Sequence, residues 1–203
     1  MKKKIKKPKN KIFNLENQYE KSFNYISESR KFISTIIVVF FIFALIGYVI
    51  PTPEFIIDAI FEFIQELLEK TEAMSQTELI RFIFLNNLQS SFFGMIFGFF
   101  LGIFPVIATI ANGYLLGFVA KVTVGEEGFL VLWRLLPHGI FELPAVFISL
   151  GLGLKFGTFL FQKKKGESFK NFFWSSLRVF IFIVIPLLVI AAIIEGSLIA
   201  IFG

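Results

Sequence analysis

Apolar residues run almost unbroken from 32 to 50, FISTIIVVFFIFALIGYVI, and then yield after Pro51-Thr52-Pro53 to a segment in which acids recur every three or four positions. The first run is close to the roughly 20 residues a helix needs to cross a bilayer. The second, over 53–73, sets Glu54, Asp58, Glu62, Glu66 and Glu69 on one helical face and Ile57, Ile60, Phe61, Ile64 and Leu68 on another. That spacing predicts an amphipathic helix lying on a surface. Further apolar runs predict spans over 82–105, 106–122, 137–159 and 176–201, with Pro105 at a break or turn and Pro186 as a kink. Ahead of the first span, the segment EKSFNYISESRKF can form a short amphipathic helix, and Trp133 and Arg134 suit a membrane interface. The fold class expected is all-α, a polytopic membrane protein with five transmembrane helices and one amphipathic helix outside them.

Composition supports a bilayer as solvent. Hydrophobic residues make up 56% of the 203 positions and the mean hydropathy is +0.77, too apolar for a soluble domain. The chain divides into a basic segment, 1–31, and a single membrane domain, 32–203. Ten Lys and Arg stand against three acids in 1–31, and six against one in 155–178, whereas 51–81 carries seven acids and two basic residues. Basic loops stay cytoplasmic. The N-terminus and the loop around 163–165 are therefore expected inside, the acidic helix and the C-terminus outside, in a multi-pass cell-membrane protein. The basic region is too long, the apolar run too complete and Pro51-Thr52-Pro53 too unlike a cleavage site for a signal peptide. A Lys-rich tail next to a first span sets topology or touches anionic lipid, so no nucleic-acid partner is expected.

Seven glycines recur at helix-packing spacing: Gly94, Gly98 and Gly102 in the second span, Gly113 and Gly117 in the third, Gly153 and Gly157 in the fourth. Such ladders let backbones approach closely. The spacing leaves open whether the partner helix belongs to the same chain or to another subunit. The polar residues needing an account are Asn86, Asn87, Asn112, His138 and Glu142, each costly in hydrocarbon unless satisfied. His138 and Glu142 are four apart and share a helical face. Three readings stand: a structural hydrogen-bond network, a proton relay in a transporter, or a hydrolytic centre. The chain has no Cys and one His, which argues against a protein-only metal site, and no GxSxG or HExxH pattern surrounds its serines. No catalytic residue, metal or cofactor is expected.

The ordered set Asn86-Asn87, Gly94 and Gly98, Asn112-Gly113 with Gly117, then Pro137-His138-Gly139-Ile140-Phe141-Glu142-Leu143 and the glycines to Gly157 resembles the stage II sporulation protein M family. The resemblance covers about residues 80–200; the first third matches only in layout. It implies five spans and a non-catalytic anchor or scaffold for partners that remodel the cell envelope. The expected function is such a scaffold, working as a homo-oligomer such as a dimer or with other membrane proteins. A small transporter or channel subunit is the alternative, an intramembrane hydrolase the second.

Overall fold

The computed structural model describes residues 14–129 and 136–202, and among them every regular element is helical. Helix α1, Leu15–Glu28, begins at Asn14, whose side chain accepts from the Asn17 amide. Ser29 ends it and opens α2, Arg30–Val49. After the Pro51-Thr52-Pro53 turn comes α3, Glu54–Thr71, and then α4, Gln76–Ile96. Ser75 and Glu78 cap α4 reciprocally, each side chain bonding the other's backbone amide, which starts this helix six residues before the apolar run at 82. Helices α5, Ile103–Glu127, and α6, Leu136–Gly157, follow. The last crossing is one long helix made of α7, Lys165–Val179, a π-helical turn over Phe180–Val184, and α8, Ile185–Phe202.

Among the described residues five helical stretches are long and apolar enough to cross a membrane: Arg30–Val49, Gln76–Phe99, Ile103–Glu126, Gly139–Phe161 and Lys165–Leu198. Alternating directions place the α1–α2 junction, the α4–α5 turn and the 162–164 loop at one end, here the basic side. Helix α3 stands at the other, acidic side.

Besides this early start of α4, α5 runs on to Glu127 where the apolar run had suggested an end at 122, and two further boundaries depart from expectation. The α4–α5 turn falls not at Pro105 but at Leu101 and Gly102, whose φ values are 58° and 73°. Pro105 is instead the third residue of α5, where a missing amide costs nothing because first-turn amides have no intrahelical acceptor. Gly102 thus leaves the α4 ladder and becomes the residue before α5. The last helix starts eleven residues before 176, and the π turn lies directly ahead of Pro186. A proline ring clashes with the carbonyl four residues back, here Phe182 inside that turn, and local widening accommodates it.

Helix α6 is the axis of the bundle, with over half of its most apolar stretch buried. Met95, Ala145, Leu152, Val179, Phe180, Val184 and Leu188 knit α4, α6 and the last helix; Ile36, Phe40, Phe147 and Leu150 knit α2 to α6. With lipid tails as apolar as leucine, packing and not water exclusion selects these contacts, and the glycines set how close they come. A Cβ at Gly113 would meet the Phe40 carbonyl, one at Gly117 the Ala44 carbonyl, and one at Gly47 the Tyr114 carbonyl, which closes the α2–α5 seam. Across the second seam Gly98 abuts Gly153, Gly157 abuts Leu101 and Gly102, and Gly94 faces Leu150. The glycine faces are therefore occupied within one chain.

Candidate functional site

The seam glycines bring the basic-side end of α6 beneath α1, and with it Lys155. This side chain is only 8% exposed. Its Nζ donates to Ser29 Oγ at 3.0 Å, lies 3.8 Å from Glu28 Oε2, and sits 3.8 Å from the centre of the Tyr25 ring and 5.6 Å from that of Phe172. Ser29 Oγ in turn donates to the Tyr25 carbonyl at 2.6 Å. A buried ammonium needs partners on several sides, and here a hydroxyl, a carboxylate and two aromatic faces supply them. Residues from α1, the α1–α2 junction, α6 and α7 meet at one cation.

Burial pushes the Tyr25 hydroxyl up to about 12; the nearby Ser176 hydroxyl works against that rise and the Glu28 charge adds to it. Neither Tyr25 Oη nor Ser176 Oγ has a hydrogen-bond partner among the described residues. Counted from sequence, Lys155 belonged with the basic loop; in the structure it is an internal staple. The available signal was its place within a glycine-rich apolar run, LGLGLKFG, which no loop resembles.

The polar residues singled out from sequence are distributed differently. Asn86 and Asn87 lie midway along α4, Asn86 exposed and Asn87 half-buried. Asn112 is exposed on α5 and donates Nδ2 to the Ala108 carbonyl of its own helix at 2.8 Å. Among the described residues no hydrogen bond joins these three amides. Glu142 is half-buried on α6, two turns inside its acidic-side end. His138 falls in the first turn of α6, but its side chain, like all of Trp133 and Arg134, lies outside the described residues.

Sequence reading passed over Glu195. It stands on α8, seven residues before the acidic-side end, on a helix packed against the α6 that carries Glu142. Its Oε2 is buried without a hydrogen-bond partner among the described residues, and its neighbour Gly196 abuts Ile80 of α4. A lone acid in so apolar a run is the signal that marks it.

On the acidic side, α3 has no buried residue. Phe61 meets Phe118 of α5 edge-on at 6.1 Å, and the two helices enclose a shallow, largely apolar groove of about 410 Å³ with Lys121 and Glu126 among its lining. Tyr114 Oη donates to Thr52 Oγ1 at 3.0 Å, and Lys121 Nζ to the Ile50 carbonyl at 3.4 Å, tying the turn before α3 to α5. No group of three or more His, Cys, Asp or Glu placed to hold a metal occurs among the described residues.

Five apolar crossings, glycine seams inside one chain and a flanking amphipathic helix define a polytopic helical membrane protein. Residues 36–198 match the family described as Stage II sporulation protein M, and the chain belongs to that family. It is similar to an uncharacterised protein of Methanocaldococcus jannaschii, 31% identical over 150 residues, which cover 70% of this chain and 66% of that protein's length. No solved structure matches the chain.

Proposed function

We propose that this protein is a non-catalytic membrane scaffold that anchors partner proteins of the cell envelope, with its basic side cytoplasmic and α3 extracytoplasmic. The observation that carries the reading is α3 itself: an 18-residue helix, held between two spans, with none of its residues buried. Phe55, 74% exposed, and Phe63 and Leu68 are available to the bilayer interface. Glu54, Asp58, Glu62, Glu66 and Glu69 are exposed, and offer a partner a row of negative charge. The glycine seams are used internally, so a homo-oligomer or a complex with other membrane proteins would form through α3 or the lipid-facing flanks. Replacing Asp58, Glu62 and Glu66 together by Lys should strip stoichiometric partners from the protein purified in mild detergent while its thermal stability holds. Unchanged partners in that variant would overturn the docking role of α3.

One observation favours a second reading, a small transporter. Glu142 and Glu195 stand on two packed membrane-spanning helices, and intramembrane acids mark ion or proton paths. Proton or cation flux through liposomes holding only this protein, lost on Glu195→Gln, would move that reading ahead of the scaffold.

A further inference from the structure

Between Arg81 and Lys121 the chain carries no Asp, Glu, Lys, Arg or His, although α4 turns into α5 midway through that interval. A loop leaving the membrane normally brings polar residues with it, as Gln162 and the lysines 163–165 do at the same end of the bundle. The α4–α5 turn reads FGFFLGIFP instead. Its side chains point outward: Phe97, Phe100, Leu101, Ile103 and Phe104 are all exposed, Leu101 and Ile103 by just over half. The aromatic ones form a continuous cluster, with Phe97 stacked on Phe93 at 5.6 Å and tilted against Phe104 at 5.6 Å, and Phe100 against Phe104 at 5.7 Å.

We infer that this turn does not enter water but is seated in the bilayer leaflet on the side of the 163–165 loop, with acyl chains and the glycerol region as its partner. Three independent features carry this. The first is length. Arg81 and Phe100 are 19 residues apart, as are Gly102 and Lys121, so each arm rises roughly 30 Å from its charged residue, about the thickness of the hydrocarbon core. The turn therefore reaches the far boundary of the core and stops there.

The second is the backbone. Irregular backbone is tolerated at membrane depth only if its polar groups are satisfied within the protein. The amides of Phe100, Leu101, Gly102 and Ile103 donate to the carbonyls of Phe97, Phe99, Gly98 and Phe100, at 3.1, 2.9, 2.7 and 3.1 Å. Pro105 removes one of the first-turn donors of α5 outright.

The third is the choice of residue at a strained position. Leu101 has φ 58°, a conformation that in aqueous turns goes to Gly, Asn or Asp. Leucine there accepts backbone strain and keeps the turn free of polar side chains. The exposed apolar surface also continues without a break into the flanks of the two crossings, through Phe93 and Ile107. A protein cap would need a partner for which nothing in this surface supplies a charge or a hydrogen bond.

The chain contains no cysteine, so single substitutions report cleanly. Phe100→Cys, Ile103→Cys, the lipid-facing control Val38→Cys and the loop control Gln162→Cys would be reconstituted in vesicles of pure phosphatidylcholine opened to an impermeant maleimide on both faces. Because the thiolate is the reactive species and is disfavoured away from water, positions 100 and 103 should react at least about tenfold more slowly than 162 and resemble 38. An environment-sensitive fluorophore on each thiol should be quenched by bromine placed on the upper acyl chain at 100 and 103 and spared at 162. Reaction at 100 and 103 as fast as at 162 overturns the inference. So does protection in native membranes that disappears in pure lipid, since a protein would then be the cover.

Discussion

Lys155 Nζ and Ser29 Oγ, 126 residues apart in sequence, meet at 3.0 Å where α1 bends into α2. Ser29 has no exposed surface and gives its proton to the Tyr25 carbonyl, so it is free to accept from the ammonium. The bend between a surface helix and the first crossing is thereby fixed from inside the bundle.

Lys155→Met keeps the length and apolar stem and removes the charge. Loss of the cation–π contact and of one buried hydrogen bond should destabilise the α1 attachment by about 2 kcal/mol. The measurement is tryptic cleavage after Lys21, which should quicken severalfold in the variant while cleavage at residues 163–165 does not change. Equal rates at Lys21 in both proteins would mean that α1 is held by other contacts.

Tyr25 gives α1 an alkaline limit. Its folded value of about 12 lies above the unfolded 10, so the stabilisation is complete below pH 10 and is lost as pH rises toward 12. At full extent it is on the order of 2–3 kcal/mol. Thermal melts between pH 9 and 12 should fall more steeply for the natural chain than for Tyr25→Phe, which has no proton to lose there. Parallel slopes would show that Tyr25 does not carry the dependence.

Gly98→Leu should break the α4–α6 seam, because any side chain at 98 enters the space of the Gly153 backbone. Overpacking of this kind costs about 1–3 kcal/mol and more where backbone blocks relief. Gly125→Ala is the matching control: no atom lies within 4 Å of the added carbon, and the change should leave melting temperature in detergent unaltered or slightly raised. If both variants melt together, the seam is not as close as described.

Glu142→Gln retains shape and most hydrogen bonding but cannot ionise, whereas Glu142→Leu leaves any buried partner unsatisfied, at about 1–3 kcal/mol. Under the scaffold reading the Gln variant assembles and functions normally and the Leu variant does not. A well-folded Gln variant that has lost function in cells would instead favour proton-coupled transport.

The proposed orientation is tested with single cysteines in intact cells. A thiol at Glu62 should react with an impermeant reagent and one at Lys164 should not, since the ten basic residues of 1–31 hold the N-terminus inside. Reaction at 164 would invert the assignment of sides while leaving the helical fold unchanged.

Much of this protein was legible one residue at a time. Crossing a bilayer demands length and apolarity, both local properties, so the five spans and the amphipathic 53–73 segment follow from the chain without knowing its neighbours. Ends are less local: Ser75 with Glu78 moves the start of α4, and Leu101 with Gly102, not Pro105, makes the next turn. The glycine spacing announced close contact, but only the packed bundle paired Gly98 with Gly153 and Gly117 with Ala44 and so assigned both seams to one chain. Lys155 is the clearest case. A lysine at 155 is an ordinary basic residue until α1 folds back over α6, because the environment that buries it comes from Tyr25, Glu28 and Ser29, more than 120 positions away, and from Phe172. Periodicity and hydropathy determine which segments enter the membrane; which side chains meet there is set by how closely the helices approach, a property of the assembled bundle.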